Sequence, residues 1–339
     1  MKQWSDIRGQ ERPKEILERA LETGRVHHAY LFAGLRGVGK YTTALAFAAI
    51  VNCEERDTET FRDMCGTCRS CRKIDQGIHP DIVTVAPEGN SSRIKIEQIR
   101  DIQESATKQP HEARYRIVLI DGAHAMTTEA ANALLKTLEE PSTRMRLVLV
   151  TDQAHRLLET IISRCQELRF SGLETTDVLA VLRSELESSD DIDDVPSDDV
   201  LELAASYGEG SVGRSVEIVA SGMLAQRREL IESILDLPAN RTAPLIDLAE
   251  DLGRGNDDLD DQLDVLKLFF RDLMLFKSTG QTDRLVNRDL QDLVEKHADA
   301  FSVTELTDTL DELLEAQQLI DRQVNPQFVL EDLLTTVAR

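Results

Sequence analysis

One short glycine-rich run constrains this chain more than anything else in it. Gly34-Leu35-Arg36-Gly37-Val38-Gly39-Lys40 follows a branched apolar stretch, Ala29–Ala33, and opens a helical pattern, Lys40–Val51. A G-x-x-x-x-G-K loop between a strand and a helix is the setting in which backbone N–H groups close around phosphate oxygens. The helix N-terminus adds a favourable dipole, and Lys40 is placed to neutralise the outer phosphates. A loop of this kind needs a strand behind it and a sheet around that strand, so the N-terminal half must be α/β.

The rest of that half agrees. Short apolar runs at Ile82–Ala86, Ile117–Ile120 and Leu147–Val150, with a last strand near Glu167–Phe170, predict buried parallel strands. Helical patterns at Ile96–Thr107 and Thr128–Glu139 lie between them, and Ala130, Ala133, Leu134 and Leu138 form one stripe before Pro141 ends the second. The order implies a doubly wound parallel sheet. Beyond Ser171 the strand signals stop. Leu173–Leu186 and Val200–Ser206 read as helices around an acidic loop, Glu187–Asp199. Helical periodicity then continues with breaks near Pro238, Gly253–Asn256, Gly280 and Pro326. The expected layout is an α/β domain over 1–171, a small helical lid over 172–222 and an all-helical domain over 223–339.

The phosphate loop departs from the hydrolytic pattern in two places. The position after Lys40 ordinarily carries a short hydroxyl for Mg²⁺, and here it is Tyr41. Thr42 comes one residue later, about 100° further round the helix, and points elsewhere. The strand Arg116–Asp121 ends in a carboxylate suited to Mg²⁺, yet the next residue is Gly122, where a water-polarising glutamate is expected. Two losses in one reaction weigh against Mg²⁺ coordination and hydrolysis. Gly34, Gly37, Gly39 and Lys40 still leave room for ATP or ADP to bind.

Four of the five cysteines crowd together as Cys53, Cys65, Cys68 and Cys71, spaced C-x11-C-x2-C-x2-C. Four thiolates can close a tetrahedron around Zn²⁺, and four protein ligands make such a site structural. Arg69, Arg72 and Lys73 are expected to lower the thiol pKa values. Free thiols or a redox switch are the alternative. Cys165 stands alone and reads as a small hydrophobe.

The net charge of −23 argues against general affinity for nucleic acid, and it is uneven: residues 1–171 carry +1 and residues 172–339 carry −24. Local positive groups such as Lys95 and Arg100 remain candidates for phosphate contact. No stretch approaches the ~20 apolar residues of a membrane span. The polar N-terminus lacks a signal-peptide pattern, which places the expected location in the cytoplasm.

Several motifs together resemble the bacterial clamp-loader family of AAA+ proteins, of gamma/tau and delta-prime type. They are Trp4–Gln10, His28-Ala29-Tyr30-Leu31-Phe32, His79-Pro80-Asp81, Ile94–Arg100, the run Ala131–Pro141, Ser163-Arg164-Cys165, Gly210-Ser211 with Arg214, and Asn325-Pro326 with Leu330–Leu334. The resemblance spans nearly the whole chain. It implies a zinc module at 53–71, a sensor-2 role for Arg214, and a C-terminal collar that holds a heteropentamer with gamma/tau and delta. The sliding clamp and primed DNA are the implied further partners. Arg164 on this likeness is an arginine finger reaching the neighbour's nucleotide; taken alone it reads as a structural salt bridge. Tyr41 and Gly122 favour the delta-prime type over an active gamma/tau motor; a stand-alone AAA+ protein is the third reading.

Overall fold

A computed structural model describes residues 2–55, 63–89, 92–106, 108–188, 196–237, 242–254, 259–322 and 324–337. The chain divides into two compact units, one of residues 1–181 with 210–213, the other of residues 182–209 with 214–339.

The first unit is a parallel sheet with helices on both faces. Its elements run α1 (Glu11–Glu22), β1 (Ala29–Gly34), α2 (Lys40–Asn52), α3 (Arg69–Asp75), β2 (Ile82–Val85), α4 (Ile96–Ala106), β3 (Arg116–Asp121), α5 (Thr128–Glu139), β4 (Met145–Thr151), α6 (Glu159–Ile162) and β5 (Gln166–Phe170). The strands stand in the order β2-β3-β4-β1-β5, all parallel. Alternate residues of each strand feed two cores, as a period of two requires. Tyr30, Phe32, Ile117, Leu119, Val148 and Val150 pack with α2, while Leu31, Val118, Ile120, Leu147 and Leu149 pack with α4 and α5. The predicted strands and the helices after the loop and before Pro141 stand where the apolar runs place them. Before Ser163, Leu157 and Leu158 are extended and Glu159–Ile162 is helical.

Chain order and spatial order differ in this sheet, and that difference builds the site. β1 lies between β4 and β5, so the loop after β1 opens beside the ends of β4 and β3. Ligands in open parallel sheets bind at the carboxyl ends of strands where the order reverses.

Helix α7 (Thr175–Ser188) begins two residues later than Leu173. The centre of the acidic loop, 189–195, lies outside the described residues. The second unit is all helical, with α8 (Asp198–Tyr207), α9 (Val212–Ser221), α10 (Met223–Leu235), α11 (Thr242–Arg254), α12 (Leu259–Thr279), α13 (Gln291–His297), α14 (Val303–Asp321) and α15 (Pro326–Val337). Helix α12 is its spine and packs against α8, α10, α13 and α14, while α15 packs against α11 and α14. The expected breaks at Pro238 and around 255–256 lie outside the described residues. Pro326 is the first residue of α15, a position where its missing N–H costs nothing. Buried Asp272 accepts from the N–H groups of Val286 and Asn287 at 3.1 and 2.8 Å, and the Tyr207 hydroxyl donates to Asn287 Oδ1 at 2.6 Å.

Candidate functional site

The loop from Gly34 to Gly39 is fastened by its own carbonyl groups. Lys40 is buried, and its Nζ donates to Gly34 O at 2.7 Å and to Leu35 O. Ser211 Oγ donates to Arg36 O at 2.8 Å, and the Gly213 N–H donates to Gly37 O at 3.1 Å. Thr43 Oγ1 donates to Gly39 O at 2.8 Å. Gly37 has φ +75°, and a Cβ there would stand 2.3 Å from Ser211 Oγ. Only glycine suits both that backbone and that approach. Ser211 is therefore a loop partner that sequence reading placed only in a general motif.

Tyr41 turns away from the loop. It packs against the core of the α2 face, and its hydroxyl meets Thr84 Oγ1 of β2 at 3.0 Å. Thr42 is exposed, as the helical rotation predicts. Asp121 ends β3 half-buried; burial pushes its pKa up, and the nearby Lys40 partly opposes this. Burial pulls Lys40 down, against the charges of Asp152 and Asp121. Lys40 therefore lies within reach of the charges of both carboxylates. His124 joins them, with Nδ1 at 3.1 Å from Asp152 Oδ1 and 3.2 Å from Thr151 Oγ1. Asp152 and His124 were not singled out from sequence. The signal for Asp152 was its place directly after β4, as Asp121 closes β3. Gly122 takes φ +69° and caps a short turn, Ala123–Ala125; a Cβ on it would meet Pro87 Cγ at 3.2 Å.

Arg164 lies beyond α6, with its side chain 36% exposed. Its Nη2 pairs with Glu139 Oε1 at 2.8 Å, and Nη1 donates to Thr160 O at 2.9 Å. Arg214 belongs to the second unit and pairs there with Asp261 and with Asp264 at 3.1 Å. Lys40 is thus fastened to the loop at Gly34 and Leu35 and lies near Asp121, while Thr42 faces solvent and Arg214 is engaged by carboxylates of α12.

The four clustered cysteines converge. The sulfurs of Cys53, Cys65, Cys68 and Cys71 all lie within 4.8 Å of one another, and none forms a disulfide. Tetrahedral Zn–S bonds of about 2.3 Å set sulfurs about 3.8 Å apart, so the donor set fits a metal ion of this kind. The Cys68 and Cys71 N–H groups donate to Cys65 Sγ at 3.2 Å and Cys68 Sγ at 3.4 Å. Such donors stabilise thiolate charge. Burial raises Cys53 and Cys71. At Cys65 burial is outweighed by N–H donors from Cys68 and Thr67, which bring it down to about 6. This corrects the expectation that Arg69, Arg72 and Lys73 lower the thiols. Arg69 and Lys73 pair instead with Glu112, at 3.3 Å for the arginine. Cys165 is partly buried against the second core, and burial raises its thiol to about 12.

The module is tied to the sheet by His79-Pro80-Asp81. Buried His79 bonds Ser70 Oγ of α3 at 3.2 Å. Asp81 is fully buried and accepts the N–H groups of His111, Glu112 and Ala113 at 2.8–3.0 Å. It also pairs with buried Arg116 of β3 at 3.0 Å. The N–H donors and the guanidinium outweigh burial and hold the Asp81 carboxyl below the usual range.

A phosphate loop after β1, carboxylates at the ends of β3 and β4, and the order β2-β3-β4-β1-β5 define an AAA+ module. Residues 9–174 match the family described as DNA polymerase III, delta subunit, and residues 221–339 match DNA polymerase III, delta subunit, C terminal. The chain is 32% identical over 329 residues to DNA polymerase III subunit delta' of Bacillus subtilis, covering 96% of this chain and 95% of that protein. It belongs to the DNA polymerase III delta-prime subunit family. It is also 36% identical over 223 residues to DNA polymerase III subunit tau of Escherichia coli, covering 65% of this chain and 33% of that one. Among solved structures, a DNA polymerase III gamma subunit-related protein from Thermotoga maritima aligns over 95% of this chain and 97% of its own, at 17% identity and a TM-score of 0.40.

Proposed function

We propose that this chain is a delta-prime-type subunit of a clamp loader. It helps place a sliding clamp on primed DNA, and its own phosphate-loop site does not hydrolyse ATP. The observation that carries this reading is the state of the two departed positions. The Tyr41 hydroxyl is committed to Thr84, away from the phosphate loop. Gly122 stands in a left-handed conformation that a glutamate adopts only with strain. Neither position supplies its part of the reaction.

Arg164 is the group offered to a neighbour. Its pairing with Glu139 is a partly exposed surface contact, worth about 0–1 kcal/mol, so redirecting it to a phosphate is cheap. A guanidinium near a transferring phosphoryl group stabilises the developing charge and can be worth roughly a thousandfold or more in rate. Nucleotide binding without hydrolysis remains part of this reading, through the loop glycines and Lys40. Arg214 takes part in it only if it leaves Asp261 and Asp264. The four cysteines hold Zn²⁺ as a structural ion that joins α2 to α3. The functional division follows 1–171, 172–222 and 223–339, with the last as collar. Gamma/tau and delta subunits are the partners, and DNA is met through the assembly. Among the described residues no helix is long and apolar enough to cross a membrane, and the proposed setting is the cytoplasm.

The test is assembly. The full chain, mixed with gamma and delta subunits, should elute as one complex of defined stoichiometry. A chain that stays apart from them, or that hydrolyses ATP steadily when alone, contradicts the proposal.

A further inference from the structure

The second unit carries a cleft of about 290 Å³ lined by Arg271, Met274, Leu275, Ser278, Arg284 and Val303. The four residues from α12 follow the spacing of one helical stripe, so they form a continuous wall. Met274 and Leu275 are half-buried, and Val303, at the start of α14, is 47% exposed. The floor is therefore apolar, and the two arginines stand beside it.

The cleft places two cations together in an acidic unit. The C-terminal half carries −24, so carboxylates outnumber cations heavily. Arg183 pairs with Asp198, Arg227 with Asp289, Arg228 with Asp292, Lys267 with Asp264 and Lys277 with Asp299, whereas Arg288 and Lys296 form no ion pair among the described residues. Arg271 and Arg284 form no ion pair among the described residues, and both line the same cleft. A guanidinium fork matches a carboxylate in two parallel hydrogen bonds. Methionine adapts its shape to an incoming apolar group.

We infer that this cleft docks a peptide segment of a partner protein that presents a carboxylate next to a bulky apolar side chain. The apolar side chain meets Met274, Leu275 and Val303, and the carboxylate meets Arg271 and Arg284. A nucleic-acid strand does not suit the site, because its dense negative charge is repelled by a half of the chain that carries −24.

The test uses the full chain and fluorescence anisotropy. The probe is a fluorescein-labelled peptide, blocked at both ends, with Glu-Leu-Phe-Asp at its centre. The control has Gln-Leu-Phe-Asn in the same place. Saturable binding of the acidic probe is expected, weakened at least about tenfold by Arg271→Glu, by Arg284→Glu and by use of the control peptide. Val303→Glu should weaken it as well without touching either arginine. Circular dichroism confirms that each exposed variant is folded. Equal affinity across the variants, equal binding of the control, or no binding to the wild type overturns the inference. Self-association of the chain that disappears in Arg271→Glu would also overturn it, by showing a second copy in the cleft.

Discussion

Replacing Asp81 by asparagine should loosen the cysteine module from the sheet at a cost that can be worked out in advance. The Asp81 carboxylate is fully buried, takes three backbone N–H groups and faces the guanidinium of Arg116, itself 4% exposed. An amide in its place would keep the shape but leave a buried cation uncompensated. Breaking one partner of a buried pair costs roughly 3–5 kcal/mol. With a urea slope of about 2–3 kcal/mol/M for a unit of this size, the midpoint should fall by roughly 1–2.5 M. The assay is Trp4 fluorescence, because the single tryptophan is buried in the first unit and its backbone N–H bonds Asp63 within the module at 3.1 Å. It reports this unit without the helical one. Adding Arg116→Met to Asp81→Asn should recover part of the loss, since it removes the stranded charge. The pH dependence has a definite sign. A carboxyl whose folded pKa lies below its ordinary value near 3.8 stabilises the fold above that value and loses the contribution as pH falls through the folded pKa. The gap between wild type and Asp81→Asn should therefore narrow below about pH 4. A midpoint shift under about 0.3 M at pH 7 would refute the reasoning.

Other outcomes follow from the same geometry. Elemental analysis of reduced protein should find zinc near one equivalent per chain, and Cys71→Ser should lower the first unit's stability by several kcal/mol; metal-free protein of unchanged stability contradicts this. Gly37→Ala should cost about 1–2 kcal/mol or more from its left-handed backbone alone, with faster hydrogen exchange at Gly213 as the loop bond opens. Gly122→Glu should be destabilised by about 1–2 kcal/mol in a urea titration, and an unchanged midpoint contradicts this.

The sheet was legible because each strand is a compact branched run flanked by helical periodicity. The loop was legible because its glycines and lysine stand at obligatory spacing. Tyr41 was readable as a misfit, but its partner Thr84 lies on a strand 43 positions away and no local pattern announces it. Arg69 and Lys73 looked like neighbours of the thiols by sequence, yet Glu112 arrives from the segment before β3 and claims both. Helix α1 has a clear apolar stripe, with Pro13, Leu17 and Leu21 buried, but its start at left-handed Gln10 carries no ordinary capping signal. Gln10 is held there by bonds to Ser171, at 2.7 and 3.1 Å, which only the fold brings near. In the helical half, the turn at Phe301 and Ser302 was missed because its capping box, Ser302 with Glu305, sits within an unbroken acidic and apolar pattern.

The central claim is that this chain assists hydrolysis without performing it. Steady-state ATP hydrolysis should be measured for the chain alone, then in the reconstituted complex with gamma and delta subunits on primed DNA, comparing wild type with Arg164→Ala. The account predicts no turnover alone and a rise in the complex that Arg164→Ala removes while assembly persists. Turnover by the isolated chain, or an unchanged rise with Arg164→Ala, would contradict it.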